Sequence, residues 1–519
     1  MATSSESEKN NVIQDLSAPP VDSTTPLSPS NDDKVNLIPM QKKWSPSGST
    51  WRDLLHFVGP GWFVSIAYVD PGNYQADIQA GAASRYELLW VIWWTSILSI
   101  YVQILCVRLA YYANMTLAEA QAKHSSKCMR YLNWFIAEFS IVITDLPEVI
   151  GIGIACNIFF GWPYYVGVIA SLFTTMVFLF TMNFGMRVLE TIIVLFVGIM
   201  SVSLFIELDF IGVSKDEIVS GWIYGFTEIG KQNIFAMTGV LGAVVMPHNL
   251  YLHTAACQAR PAEKEHIKQA VRFSSWEPVL PILISFFVNL AIVAIAAEKV
   301  HGQENSSMVG LTDFCEYFKS LKAGCILWGI ALLAAGQSSA ITTTYTGQYV
   351  MDGFLQIQLP VHIRAIVTRL VAIAPCVLVS IAFPNKLNEL VNIVNSLLAF
   401  FLPFAFTPLV KYNCSPEIMG KDSCAKGIEK YILYGFAFAV WAINAFGLSL
   451  KNGGFFGDLR PRLNNAGLQT LMGAVEILVH VFYIWWNLNC VTTPIARHSA
   501  IPTIDTDEGA ISTEDIDLL

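Results

Sequence analysis

Two short segments of this 519-residue chain carry side chains able to hold a cation inside otherwise apolar stretches. The first reads Ala67-Tyr68-Val69-Asp70-Pro71-Gly72-Asn73 and the second Ala243-Val244-Val245-Met246-Pro247-His248-Asn249. Asp70 offers a hard anionic oxygen, Asn73 a neutral amide oxygen and Met246 a soft thioether. Proline withholds an amide donor and clashes with the preceding turn, so each segment interrupts a helix. Carbonyls near Ala67 and Ala243 are released by the break and need partners where lipid excludes water; a bound cation is one. Oxygen ligands alone would suit magnesium or calcium. A thioether moves the preference to softer ions, manganese and ferrous iron first, with cadmium softer still. A lone Met or a lone proline kink is ordinarily packing, whereas a carboxylate inside a membrane helix costs about 2.5–3.5 kcal/mol on insertion scales and points to function.

The elements that must position these residues are membrane helices. Hydrophobic residues make up 54% of the chain and charged residues 14%, against roughly 25% charged in soluble domains. That deficit excludes an ordinary soluble protein and a disordered chain. The net charge of −9, from 31 basic and 40 acidic residues, argues against a nucleic-acid partner. Stretches long and apolar enough to span a bilayer fall at 57–83, 88–113, 131–157, 163–181, 188–208, 234–258, 276–298, 324–350, 363–383, 389–412, 428–449 and 468–490, about twelve in all. The two interrupted segments lie in the first and sixth, at corresponding places in two five-helix halves. Five is odd, so the halves have opposite topology. That is the pattern of an inverted-repeat secondary transporter with its site near the bilayer midplane.

Residues 1–50 and 491–519 are polar and aperiodic, and are expected to be disordered cytosolic tails on either side of a transporter domain at 51–490. With the N-terminus in the cytosol, the inside loops carry the larger share of Lys and Arg, Arg364 and Lys411 among them, as the positive-inside rule requires. Asn305-Ser306-Ser307 would then be an outside glycosylation sequon. The ten cysteines include no C-x-x-C pair; Cys315 and Cys325 flank an outside loop and would pair in an oxidising compartment. Both tails hold an acid followed by two aliphatics in dileucine spacing: Asp33 with Leu37 and Ile38, and Glu514 with Leu518 and Leu519. Clathrin adaptors are the partners this pattern fits. It favours an endosomal, lysosomal or vacuolar membrane over the plasma membrane.

The two interrupted motifs together resemble the NRAMP family of proton-coupled divalent-metal transporters. The likeness continues through Asn249-Leu250-Tyr251-Leu252-His253. It extends to Thr144-Asp145-Leu146-Pro147-Glu148-Val149-Ile150-Gly151 in the third helix and Ala334-Ala335-Gly336-Gln337-Ser338-Ser339 in the eighth. It covers about residues 51–490. The resemblance implies an all-α polytopic protein of the LeuT-type fold, with two inverted five-helix repeats. It implies metal ligands at Asp70, Asn73, Met246 and the carbonyls of Ala67 and Ala243. It also implies a proton route from Asp70 to Asp145 and Glu148, towards Arg364 or Arg369. Asp145 and Glu148 are three residues apart and share a helix face. Glu138 lies on the same helix, and His248 borders the second break.

Two departures from the family stand out. Pro147 occupies a position where family members commonly carry Gln, and a proline there is expected to bend the third helix. Before Leu402-Pro403-Phe404-Ala405 in the tenth helix, where family members commonly have glutamines, only Asn395 offers a comparable amide. The resulting expectation is a symporter that moves manganese or ferrous iron, with protons, into the cytosol by alternating access. No resident cofactor and no covalent catalysis are implied. A magnesium transporter on the same fold is the alternative that Met246 argues against. A signalling protein that keeps the transporter fold would carry a long effector domain, for which residues 491–519 leave little room.

Overall fold

The computed structural model describes residues 43–495, apart from 60–61, 63, 65–67, 182–194, 196–197, 199–200, 203, 207, 210, 229–233, 304–305, 307–308, 318–323, 358–359, 450–455, 457–459 and 461–464. Ala67, Asn305 and the six residues of the two dileucine patterns therefore lie outside the described residues. The described elements are helical. In chain order they are α1 (Thr50–Phe57), α2 (Pro71–Ser84), α3 (Leu89–Tyr112), α4 (Leu117–Lys123), α5 (Lys127–Phe160) and α6 (Tyr164–Thr181). Then come α7 (Lys215–Tyr224), α8 (Ile234–Val244), α9 (Pro247–Gln258), α10 (Ile267–Trp276), α11 (Val279–Lys299) and α12 (Gly324–Leu355). The last five are α13 (Val361–Ala382), α14 (Leu387–Asn413), α15 (Pro416–Met419), α16 (Gly427–Ser449) and α17 (Ala466–Thr492).

Eight of the described helical stretches are long and apolar enough to cross a membrane without interruption. The first and sixth spans are the broken ones, so neither forms a single long helix. The fourth matches α6, and the fifth falls largely on residues outside the description. Local chemistry sets the ends. Thr116 and Glu119 form a reciprocal capping box at the start of α4. Ser126 caps α5 by accepting from the Met129 amide, and Gly161 ends that helix at φ 67°, the left-handed region open to glycine.

The buried core lies where α2, α5, α11, α12 and α14 meet, around residues such as Tyr74, Ile150, Ile292, Trp328 and Leu398. These helices are apolar over most of their surface, as befits elements surrounded by other helices. α16 and α17 sit at the rim. α17 packs on α14 through Phe404 against Trp486 and Phe400 against Tyr483, at 4.6 and 4.8 Å between ring centres. The outer faces of α16 and α17 leave Ile428, Tyr431, Ile477 and Leu478 exposed, which is the surface a bilayer would cover.

Within residues 43–50, placed in the tail by the sequence, Trp44 packs against the body. Trp44 is buried: its amide donates to the Pro261 carbonyl at 2.9 Å and its carbonyl accepts from the Glu263 amide at 3.1 Å. Its ring meets Phe57 edge-on at 5.0 Å. Arg260 donates to the His56 and Val58 carbonyls at 2.8 and 2.6 Å, satisfying the C-terminal end of α1. A strap leading into the first broken helix is thus tied to the loop leaving the second. Two of the expected inside-loop charges are also relocated. Lys411 lies in α14, where it donates to the carbonyls of Cys490 and Thr493 at the end of α17, and Arg364 lies buried in α13.

Candidate metal and proton site

The two breaks are built alike. Asp70 is the N-cap of α2, with extended backbone at φ −113° and ψ 167°, and Pro71 opens the helix. Met246 is the N-cap of α9 at φ −81° and ψ 134°, and Pro247 opens that helix. Proline is tolerated in the first turn because the N–H it lacks would have no intrahelical partner there. Its cost falls on the helix upstream. In a continuous helix the Ala243 carbonyl would accept from the amide of residue 247, and Pro247 has none to give. The sequence puts Ala67 and Pro71 in the same relation.

Asp70 and Met246 are both nearly inaccessible, at 2% and 1% exposure. The Asp70 Oδ1 accepts from the Asn73 amide at 2.6 Å and from the Asn73 side chain at 3.0 Å. A carboxylate at a helix N-terminus is favoured by the helix dipole and by unsatisfied amides, which offsets part of the cost of burying it. The described donors at the two breaks are therefore one carboxylate, the Asn73 amide oxygen, a thioether and the Ala243 carbonyl. Among the described residues, no three His, Cys, Asp or Glu side chains come together as a metal-binding group.

Asn395 connects the breaks. Its side-chain amide donates to the Gly72 carbonyl at 2.8 Å. A methyl carbon at Gly72 would stand 3.0 Å from its Oδ1 and 3.3 Å from the Asp70 Oδ1, so the two polar groups flank one glycine. On the other side, a methyl carbon at Gly242 would lie 2.1 Å from the Asn395 backbone carbonyl. Only glycine lets α8 come this close to α14. The tenth-helix amide singled out in the sequence thus lies beside the Asp70 carboxylate, with the end of α8 against its own backbone.

The acidic residues of α5 face two arginines of α13. Arg369, wholly buried, lies 3.6 Å from Asp145 and 3.4 Å from Glu148. Arg364 pairs with Glu138 at 2.5 Å. Charges buried this far from water need partners of this kind. Pro147 lies inside α5, which runs through it unbroken, and both carboxylates still reach Arg369. Two positions not singled out complete the cluster. Thr343 donates to Asp145 at 2.7 Å, and Ser339 donates to Glu148. The signal was present: hydroxyls four apart in an apolar helix share a face.

The histidines of α9 join separate polar chains. His248 Nδ1 lies 3.4 Å from the Thr144 hydroxyl, one residue before Asp145. His253 Nδ1 lies 2.5 Å from Gln103 Oε1, and the Gln103 amide donates to the Tyr68 hydroxyl at 2.8 Å. His253 is therefore linked to the first broken helix two residues before Asp70. Gln103 was not singled out either; a lone amide in an apolar span is its only mark in the sequence.

Known proteins share this arrangement of elements. A family model described as "Natural resistance-associated macrophage protein-like" matches residues 61–449. The rice (Oryza sativa subsp. japonica) protein "Metal transporter Nramp5" is 34% identical over 486 residues, covering 90% of this chain and 89% of its own. "Metal transporter Nramp3" of the same plant is 35% identical over 426 residues, covering 79% of this chain and 77% of its own. The solved structure of the Eremococcus coleocola manganese transporter is 27% identical and superposes with a TM-score of 0.78, covering 88% of this chain and 99% of its own. The chain is an integral membrane protein, helical throughout its described elements, with the fold of that manganese transporter. It belongs to the NRAMP family of divalent-metal transporters, which are not enzymes.

Proposed function

We propose that the chain carries manganese and ferrous iron into the cytosol together with protons, holding the metal between the two helix breaks. Asp70, Asn73 and Met246 bind it with the Ala243 and Ala67 carbonyls, and Asn395 serves the role that glutamine has in relatives. The observation that carries this reading is the matched construction of the breaks. Each presents a buried N-cap side chain and a proline at the first helical position, and at the second break Pro247 cannot satisfy the upstream Ala243 carbonyl. Protons leave the Asp70 region for Asp145 and Glu148, where Arg369 holds the negative charge. His248 stands between the metal ligand Met246 and this cluster through Thr144. Glu138 and Arg364 form the next pair along α5.

The direction of transport follows from orientation. α11 begins beside the N-terminal strap, with Glu277 just before it accepting from the Gly59 amide, and ends near the loop closed by the Cys315–Cys325 disulfide. Disulfides form on the oxidising side of a membrane, which supports a cytosolic strap and N-terminus. Membrane potential then favours cation entry at about 2.3 kcal/mol per charge per 100 mV. The dileucine patterns favour an endosomal, lysosomal or vacuolar membrane.

Uptake into proteoliposomes loaded with a pH dye tests the reading, with manganese compared against magnesium and calcium. Manganese entry with internal acidification, undiminished by excess magnesium, and its loss in Asp70→Ala, is the expected result. Wild-type uptake by Asp70→Ala overturns the site. Magnesium entry at the manganese rate overturns the ligand argument.

A further inference from the structure

We propose that the groove between α1 and the α10–α11 corner binds one anionic phospholipid from the cytosolic leaflet, its acyl chain along the apolar wall and its phosphate at Lys268 and Arg272. The groove encloses about 910 Å³. Leu54 and Leu55 of α1 with Val58 at its end form one wall, and Phe273, Trp276 and Leu280 the other. Open apolar surface of this extent on a protein marks a binding site. Its depth is set by Trp276, which lines it and is 65% exposed, since indoles collect at the headgroup level of a bilayer. α1 and α10 are short helices, each with an apolar side and a charged side, the form that lies in the interface plane.

Charge chooses the occupant. Two acids line the groove, but both are buried and turned to backbone amides, Asp53 accepting from Ser47 at 2.9 Å and Glu277 from Gly59. Lys268 and Arg272 are exposed, and Arg272 lines the groove. They are four residues apart on α10, so they share a face and repel one another. An anion between them removes that repulsion. A zwitterionic headgroup would bring its own cation to the same place. The cytosolic leaflet is the one that carries anionic lipid. The groove shares no residue with the proposed metal site, so it stands whether or not that reading does.

Native mass spectrometry of the full-length protein, titrated with phosphatidylglycerol or phosphatidylcholine, tests this. One phosphatidylglycerol retained per chain, about tenfold tighter than phosphatidylcholine, with a higher thermal midpoint in that lipid alone, is expected. K268E combined with R272E should abolish the difference. Leu55→Trp, which fills the apolar wall from an exposed position, should lower retention of both lipids and leaves a test if the charge variant fails to fold. Equal retention of the two lipids, or undiminished phosphatidylglycerol binding in the folded charge variant, overturns the proposal. So does lipid binding that appears only after deletion of residues 1–42, which would assign the groove to the chain's own N-terminal segment.

Discussion

In the proposed site the sulfur of Met246 is the donor that separates the set from one suited to magnesium. Hydrated magnesium sheds water reluctantly and gains little from a thioether, whereas softer ions gain more. Met246→Ala should therefore keep measurable manganese uptake while admitting calcium or magnesium, read as loss of discrimination in a competition assay. Unchanged selectivity would remove sulfur from the argument. The two breaks were legible in the sequence because Pro71 and Pro247 interrupt apolar runs next to Asp70 and Met246. Asn395 was legible as an amide in the right helix. Its bond to the Gly72 carbonyl was not, since residues this far apart in the chain meet only through packing. Ser339 and Thr343 were missed for a similar reason: hydroxyls in apolar helices usually bond their own backbone. These two also reach across to the α5 carboxylates.

At the scale of elements, one missing hydrogen separates a broken helix from a continuous one. Pro247→Ala would return an amide in reach of the Ala243 carbonyl and remove a clash worth about 3 kcal/mol in a helix interior. The sixth span should then close into one helix, consuming the carbonyl that the proposed site offers to the metal. Uptake is expected to fall about tenfold or more while the thermal midpoint holds or rises, a combination that a folding defect would not produce. Wild-type uptake with the same midpoint would show that the break is not needed. Prolines do not all act alike here: Pro147 sits in α5 without ending it. Helix boundaries were legible from apolar length and from prolines. The strap was not. Residues 43–50 are polar enough to read as tail, and Trp44 is held by Pro261, Glu263 and Phe273, which the sequence places far away.

For the whole molecule, the pattern of spans, the two breaks and the family motifs made the fold legible before any coordinates. The proposed sorting belongs to this scale, since the dileucine patterns lie in the tails rather than in the transporter core. Alanine at Leu37, Ile38, Leu518 and Leu519 should move the protein from internal membranes to the cell surface, scored by surface biotinylation. Unchanged internal staining would discard the adaptor reading. The joint at Asn395 has a consequence of a different kind. One residue of α14 touches the first broken helix through its side chain and the second through its backbone, and glycines at 72 and 242 leave it the space. A longer amide at 395 would need room that only a shift of those glycines can supply, and a larger residue at 242 would drive α8 off its seat. Replacements at the three positions are therefore expected to be coupled, read as non-additive changes in thermal midpoint when they are combined.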